Sequence, residues 1–483
     1  MFVDYPNEVQ NEVLFNLLSA AQFTEIGKKY GFPSIKDYDS FAESVPIQKY
    51  ESIEPLIERA RKGEANIFWP TKIKWFAKSS GTTNAKSKFI PVSDEAIEDC
   101  HMKAGKDMLC MYINNNEDTE IFKGKGLRLG GSRAVYEDNE TYFGDLSAII
   151  IENLPFWADF STAPSLKTSL MDEWEAKMDA IIEETIDEDI TSLAGVPSWM
   201  LVLLNRILEV TGKKNILEVW PNLEVYFHGG VNFNPYREQY KKLIPKSDFR
   251  YFETYNASEG FFAIQDDNFS SEMLLMLDYG IFYEFIPMDE YDEENSKAIP
   301  LQAVELNKNY ALVITTNSGM WRYLIGDTVK FTSLKPYRIK ITGRTKHFIN
   351  VFGEELVVEN AEDALKVACN KTNAIISEYT VAPIFMNGNS NGGHEWVIEF
   401  KDQPSNIEDF ANNLDDALKS INSDYEAKRY KDMTLALPKI HQAKNGLFYE
   451  WLKSKNKLGG QHKVPRMSNK RDFLEELLEL DKS

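Results

Sequence analysis

A layered α/β fold is the class this sequence predicts, and three observations predict it. Helical and strand periodicities alternate through the first half, several strand runs end in glycine turns, and the pattern changes to short alternating runs between Met273 and Phe331. At 483 residues the chain exceeds one ordinary domain. We place a boundary near residue 345, giving a large α/β region with a barrel-like portion or second sheet (1–344) and a small C-terminal α+β region (345–483).

Composition narrows the function. An apolar share of 43% with 27% charged residues is that of a soluble globular enzyme. The net charge of −21 argues against nucleic acid and anionic membrane as main partners, since phosphate backbones reward basic surfaces. No run of about 20 apolar residues offers a membrane span. The start, Met1-Phe2-Val3-Asp4-Tyr5-Pro6, lacks a basic and apolar leader, which predicts a cytoplasmic protein. Cys100, Cys110 and Cys369 have no CxxC spacing and read as reduced thiols. The six histidines show no metal-ligand spacing. Nothing in the sequence sets an oligomeric state.

Taken in order, Asn11 to Tyr30 has helical periodicity ended by Gly31-Phe32-Pro33, and a second helix runs from Tyr50 to Lys62. Ile73 to Ala77 reads as a strand. It delivers Lys78-Ser79-Ser80-Gly81-Thr82-Thr83-Asn84-Ala85-Lys86-Ser87-Lys88, where hydroxyls, glycine-freed backbone N–H groups and lysines suit a polyanion. This is not a Walker loop, because Ala85 stands before Lys86 where a glycine is required, and a plain polar turn has the same composition. Asp94 to Met111 is a helix with Ser93-Asp94-Glu95 at its start. Leu127 to Arg133 is a strand ending in Gly130-Gly131, a tip to which composition assigns no chemistry. Ser165 to Glu184 and Ser198 to Thr211 read as helices about a strand at Ile190 to Val196.

Leu223 to Gly230 is a strand closed by Gly229-Gly230, and Phe252 to Gly260 is a strand closed by the polar turn Asn256-Ala257-Ser258-Glu259. Trp321 to Asp327 is a glycine turn presenting an aspartate. Beyond the boundary come an acidic helix from Glu359, strands at Ile375 to Ile384 and Glu395 to Phe400, and helices at Ile407 to Ala427, Leu447 to Lys455 and Asp472 to Leu480. Leu458 to Arg466 is a glycine loop with a basic end. Singly, each polar feature has an ordinary reading: Asp327 as a turn residue, Glu259 as a helix-start carboxylate, Tyr255 as core, Lys463 as surface charge and Arg344 as an ion-pair partner.

In combination and in this order, Ser79-Ser80-Gly81-Thr82-Thr83, Tyr255-x-x-Ser258-Glu259, Arg322-Tyr323-x-x-Gly326-Asp327, Gly343-Arg344-x-Lys346 and the loop carrying Lys463 resemble the adenylate-forming enzymes. The match is to their auxin-responsive acyl-acid amido synthetase family, in its bacterial branch, and runs essentially end to end. Thr83, Ala257 and Gly230 stand where the plant members have serine, which puts the plant substrates in doubt but not the adenylation. The resemblance implies a ligase that uses ATP and Mg²⁺ to activate a carboxylic acid as an acyl-adenylate and then transfers the acyl group to an amine or amino acid. It implies nucleotide contacts at Ser79, Ser80, Gly81, Thr82, Thr83, Gly229, Gly230, Tyr255, Ser258, Asp327 and Arg344. Within it, Tyr255 stacks on adenine and Asp327 accepts the ribose hydroxyls. Glu259 ligates Mg²⁺, Lys463 neutralises the reacting phosphate, and Lys346 is the hinge of a mobile C-terminal region.

Three rivals remain. Coenzyme A is the alternative acceptor in the same superfamily. A serine esterase is the rival chemistry: His228-Gly229-Gly230 is similar to a lipase oxyanion loop, and Asn256-Ala257-Ser258-Glu259-Gly260 differs from the nucleophile elbow by Asn256 for glycine, which weakens the sharp turn. A non-catalytic adenylate-binding regulator would require a lost carboxylate or lysine, and Glu259, Asp327 and Lys463 are all present.

Overall fold

A computed structural model describes residues 1–79, 88–131, 141–155, 160–171, 173–230, 233, 236–292, 296–345, 348–349, 351–352, 354, 356–385, 392–422, 425–426, 429, 435–455, 457 and 464–482, without the side chains of Ser79, Ser198 and Phe348. The hydroxyl-rich residues Ser80 to Thr83, the hinge residue Lys346 and the loop lysine Lys463 lie outside the described residues.

The chain opens with a helix at Pro6–Ala21 and a short one at Glu25–Lys29, not the single helix expected. The break is local chemistry: Thr24 accepts the Gly27 N–H and restarts the helix as its N-cap. After a helix at Tyr50–Arg61, β1 (Trp75–Ser79) and β2 (Lys88–Val92) pair antiparallel as expected of a strand leading into the hydroxyl-rich loop. The next helix starts where the sequence placed it, with Ser93 Oγ accepting the Ala96 N–H at 3.0 Å. Its first part, Ala96–Met102, is π-helical, and Lys103–Asn115 continues as α-helix.

Five parallel pairings follow. β3 (Lys125–Arg128) leads to β4 (Tyr142–Gly144), which pairs with β1, and to β5 (Thr162–Ala163). β6 (Ile190–Gly195), β7 (Val225–Gly229) and β8 (Arg250–Ala257) then add in parallel register, joined by helices at Pro197–Thr211 and Arg237–Leu243. Parallel neighbours need such crossovers, which is why the helix and strand periods alternate in the sequence. The expected helix at 165–184 is two, Leu166–Ser169 and Trp174–Thr185, because the Glu173 carboxylate accepts the Glu175 and Ala176 N–H groups and starts a new helix there.

At β8 the sheet changes sense. A tight turn at Ser258-Glu259 returns the chain as β9 (Gly260–Gln265), with Ala257 opposite Gly260. β10 (Met273–Leu275), β11 (Ile281–Pro287), β12 (Ile299–Pro300), β13 (Asn309–Thr316), β14 (Tyr323–Leu334) and β15 (Tyr337–Arg344) supply the antiparallel run. The barrel-like portion or second sheet expected here is neither closed nor separate. Apart from β1, β2 and β4, which form a three-stranded sheet, these strands make one sheet among the described residues in the linear order β12-β11-β13-β14-β15-β10-β9-β8-β7-β6-β3-β5, because β9 bonds to β8 on one side and β10 on the other.

Beyond residue 345 the expected α+β region is present. Strands Ile375–Ile384 and Gly393–Asp402 are antiparallel, and Lys439–Ala443, which periodicity did not reveal, adds in parallel. Helices Val358–Thr372 and Ile407–Ile421 share a core with this sheet. Helices Leu447–Ser454 and Asp472–Lys482 instead bury Phe448, Trp451, Leu474 and Leu477 in one apolar cluster with Trp174, Trp199 and Tyr226 of the large region. No helix among the described residues is long and apolar enough to cross a membrane.

Candidate active site

The change of strand sense at β8 leaves the ends of β6, β7 and β8 facing the β14–β15 pair across a cavity of about 2020 Å³. Gly229, Gly230, Tyr255, Ser258, Glu259, Asp327 and Arg344 all line it. Seven residues separated by up to a quarter of the chain are thus gathered in the wall of one cavity. Of the remaining predicted contacts, Ser79 ends β1 and its side chain is not described, while Ser80, Gly81, Thr82, Thr83, Lys346 and Lys463 are outside the described residues. Lys88, the first described residue after the hydroxyl-rich loop, is close enough for its charge to act on Glu259.

The register of β14 and β15 sets Asp327 directly opposite Arg344, and Arg344 Nε meets Asp327 Oδ1 at 2.9 Å. The Tyr255 hydroxyl donates to Asp327 Oδ2 at 2.8 Å. Burial, with the Asp327 charge adding to it, pushes the Tyr255 phenol far from ionisation, so it stays a donor. Each Asp327 oxygen keeps a further lone-pair direction, which leaves the carboxylate oriented and still able to accept two hydroxyls. Gly229 is required by close approach: a Cβ there would lie 2.5 Å from the Thr254 carbonyl oxygen, and Gly230 follows at φ +81°, in the left-handed region.

Glu259 is the second electrostatic centre. Burial, with the nearby Asp327 charge adding to it, raises its carboxyl to about 7. Among the described residues no group of three or more His, Cys, Asp or Glu side chains forms a metal site. A single half-buried carboxylate still fits Mg²⁺ where waters and phosphate oxygens complete its shell. The raised value has a measurable consequence. Glu259 holds a proton in the folded state that it lacks unfolded between pH 4.5 and about 7, so its contribution to stability is present in full below 4.5 and lost as pH rises through 7. The buried histidines His101 and His228, lowered to about 4 and about 3 by desolvation, act with the opposite sign. The difference between native protein and Glu259→Gln therefore isolates the carboxyl. The native protein is expected to lose stability relative to the variant from about pH 5 to about pH 8, by at most about 1.4 kcal/mol per pH unit, in nucleotide-free chemical denaturation. Parallel profiles would show that Glu259 is solvated like an ordinary carboxylate.

The cavity wall also has apolar members, Met102, Leu109, Leu129, Ile150 and Trp199 among them. The wall includes the Gly130-Gly131 tip, which now has a role. Lys177, buried on the helix Trp174–Thr185, donates to the Gly130 and Gly131 carbonyls at 3.0 Å each and to the Ser169 carbonyl at 2.6 Å, while Ser147 Oγ accepts the Gly131 N–H at 2.8 Å. Nothing in the spacing of Lys177 signals this, because the contact spans 46 residues.

The esterase constellation is not assembled. His228 is buried, neutral and stacked on Phe233 at 4.2 Å, and no hydrogen bond joins Ser258 to a histidine among the described residues. Arg322, first residue of the Arg-Tyr-x-x-Gly-Asp motif, is not in the cavity wall. Its guanidinium is buried against Glu284, with Nη2 to Oε1 at 2.7 Å. Residues that motif reading missed are Glu253, Lys340, Arg237 and Glu362, all in the cavity wall. Only Glu253 carried a signal, since it alternates in phase with Tyr255 along one strand.

Comparison with known proteins finds similar chains and folds. Three family models cover most of the chain: the GH3 family N-terminal domain over residues 1–249, the GH3 family central domain over 274–344 and the GH3 family C-terminal domain over 359–472. An indole-3-acetic acid-amido synthetase, GH3.3 of Arabidopsis thaliana, is 24% identical over 95% of this chain and 89% of its own length. A jasmonoyl-L-amino acid synthetase, JAR6 of Nicotiana attenuata, is 22% identical over 95% and 90%. Among solved structures, the GH3.15 acyl acid amido synthetase superposes with a TM-score of 0.79 at 16% identity, covering 100% of this chain and 94% of that one. A 2-hydroxyisobutyryl-CoA ligase in the postadenylation state superposes with a TM-score of 0.62 at 12% identity, with coverage of 100% and 94%.

Proposed function

The chain belongs to the GH3 family, and on that premise we propose that it is an ATP-dependent ligase, which adenylates a carboxylic acid and passes the acyl group to an amine. The observation that carries this reading is the convergence of Gly229, Gly230, Tyr255, Glu259, Asp327 and Arg344 in the wall of one cavity, with Tyr255 and Arg344 both bonded to Asp327. In the first step a carboxylate oxygen attacks the α-phosphorus of ATP and pyrophosphate leaves; in the second an amine nitrogen bonds to the acyl carbon, AMP leaves with the electron pair of the broken C–O bond, and the nitrogen loses a proton to solvent. Attack at phosphorus asks the protein for positioning and positive charge more than for covalent participation. Asp327, held by Arg344 and Tyr255, takes the ribose hydroxyls. The glycine pair lets the base lie close to backbone, with Tyr255 against it. Glu259 would hold Mg²⁺, which would supply positive charge against that of the phosphates. The apolar members of the wall exclude water from the activated acid.

Residues 1–344 are the body and 345–483 a cap that turns about Lys346, and the three free cysteines suit a reducing cytoplasm. The test is ATP–pyrophosphate exchange over a panel of aliphatic and aryl carboxylic acids, followed by acceptor screening with amino acids and coenzyme A. Exchange that depends on a carboxylate supports adenylation. ATP cleaved to ADP and phosphate, or Ser258 labelled by a fluorophosphonate without any exchange, overturns it. A thioester in place of an amide assigns the acceptor to coenzyme A.

Asp327→Ala removes the ribose acceptor and leaves Arg344 and Tyr255 without their shared partner. ATP affinity is expected to fall by about 1.5 to 3 kcal/mol, the range for hydrogen bonds to a charged group. Equilibrium binding of ATP by the native protein and by the variant measures it, and equal affinities would remove Asp327 from the nucleotide site.

A further inference from the structure

The cavity runs on beyond the nucleotide residues because of what the sheet presents under one helix. The helix Lys103–Asn115, with the π-helical segment before it, lies antiparallel to β8. Cys100 Sγ accepts the Phe261 N–H at 3.2 Å beside the end of that strand, and the Tyr112 hydroxyl accepts from Arg250 Nη1 at 3.4 Å at its start. Parallel register puts Gly126, Ser192 and Val225 in one row across β3, β6 and β7, and Arg128, Ala194 and Phe227 in the next. Val225 and Phe227 share a core with Tyr112, so these rows face the helix, while Leu127, Leu193 and Tyr226 between them are buried on the opposite face. A buried parallel sheet ordinarily fills such a face with large apolar side chains. On β7 it does, and Phe227 meets the Tyr112 ring at 5.4 Å. On β6 and β3 the side chains are Ser192, Ala194 and the bare Gly126, and space is left over them: all three line the cavity, as do Met102 and Leu109 of the helix.

The resulting trough has a measurable length. Ser192 lies three residues in from Gly195, about 10 Å at 3.3 Å per residue. Leu109 lies two turns beyond Met102, again about 10 Å at 1.5 Å per residue. Both start at the nucleotide residues, since Gly195 pairs with His228 beside Gly229, and Cys100 is bonded to Phe261 two residues after Glu259. The far end is apolar: the Thr191 hydroxyl donates to the Ile121 carbonyl at 2.6 Å, and the neighbouring Phe122 lines the cavity while 67% exposed. The whole cavity, about 2020 Å³, is about twice the upper end of the usual ligand-site range of about 300 to 1,000 Å³, so it has room for more than a nucleotide.

We propose that the acid activated here is an elongated apolar one, whose chain lies in this trough between the helix and β3–β6 with its carboxylate at the Glu259 end and its tail at Phe122. This rests on the adenylation reading above, which fixes the carboxylate at the α-phosphate, and adds to it the shape of the acid. Three bonds of an extended chain span about 3.3 to 3.6 Å, so a trough of about 10 Å takes about nine bonds, an acid of about eight to ten carbons. Ala194 and Ser192 are the specificity-determining residues: they stand at two depths on one strand face, and their small size keeps the trough open. Ser192 Oγ bonds to no other described residue, so its replacement removes no hydrogen bond.

The experiment is ATP–pyrophosphate exchange with straight-chain saturated acids from butyric to dodecanoic, beside benzoic and phenylacetic acids. Native protein is expected to gain about 4-fold in kcat/KM for each added methylene that is buried, so that octanoic acid exceeds butyric acid by on the order of 10², and to level off at about ten carbons. Ala194→Leu and Ser192→Leu place bulk about 7 Å apart along the trough. Ser192→Leu should level off a few carbons earlier than native protein, and Ala194→Leu earlier still, an ordering that general destabilisation would not produce. A native profile that is flat with chain length, or highest for the aryl acids, overturns the proposal. So does levelling off at the native length in both variants. If either variant fails to fold, the native profile decides alone. Exchange with no acid at all is a separate result, which overturns the adenylation reading; exchange confined to short or aryl acids leaves that reading standing and overturns the trough.

Discussion

Arg322→Ala is expected to destabilise the protein by about 3 to 5 kcal/mol, the range for removing one partner of a buried ion pair. The reason is a fully used guanidinium. Nε donates to both Glu284 oxygens at 3.1 and 2.9 Å, Nη2 donates to Oε1 at 2.7 Å, and Nη1 donates to the Ala42 and Val45 carbonyls at 2.8 and 2.7 Å. Tyr38 adds a donor to Glu284 Oε1 at 3.0 Å. Truncation strands Glu284, which is completely buried, and two carbonyls of the N-terminal helical segment at once. Arg322→Lys keeps a charge but not the planar fork and should fall between. Replacing both partners, as in Arg322→Met with Glu284→Leu, should lose less than Arg322→Ala alone, because no charge is then left buried without a partner. Chemical denaturation of the four proteins measures this ordering. A loss below about 1 kcal/mol for Arg322→Ala would mean that the pair is solvated like a surface ion pair. Exchange per folded molecule should survive, since Arg322 does not line the cavity.

Lys463→Ala is expected to slow acyl-adenylate formation by on the order of 10² to 10³, the effect of removing one transition-state donor. Lys463 itself is outside the described residues, but the chain that follows it is anchored at the site: Val464 is buried in the cluster shared with the large region, and Pro465 and Arg466 line the cavity. Aminolysis of a supplied acyl-adenylate should be spared if the cap withdraws this lysine after the first step. Lys346→Pro restricts the backbone at the proposed hinge, just after Thr345, whose N–H is tied to the Gly326 carbonyl at 2.8 Å. It should spare adenylation and slow transfer. Single-turnover kinetics of each half-reaction decides the matter. Equal losses in both halves for Lys463→Ala would leave the lysine as a general electrostatic residue of a site that does not rearrange.

What the sequence alone determined is what adjacent residues determine. Alternating periods placed the helix Pro197–Thr211 and strands β6, β7 and β8 within a residue or two, because crossovers between parallel strands write their periods directly into the chain. Short polar motifs named Tyr255, Glu259, Asp327 and Arg344, because each is carried on one turn or strand end. Breaks made by single side chains were not legible: Thr24 and Glu173 restart helices inside otherwise periodic runs, and capping leaves the hydrophobic pattern unchanged. Sheet membership was not legible either. Whether an antiparallel run stands alone or extends a parallel sheet depends on which edge hydrogen-bonds to which, and here a two-residue turn at Ser258-Glu259 decided it. The separation of motif residues into two roles was also tertiary. Arg322 and Asp327 sit five positions apart in one motif, yet the first is buried against Glu284 and the second faces the cavity, because the strand between them passes from core to rim. Glu253, Lys340, Arg237 and Glu362 come together across three separate elements of the body and one of the cap, and no local pattern carries a contact made by chain segments so far apart.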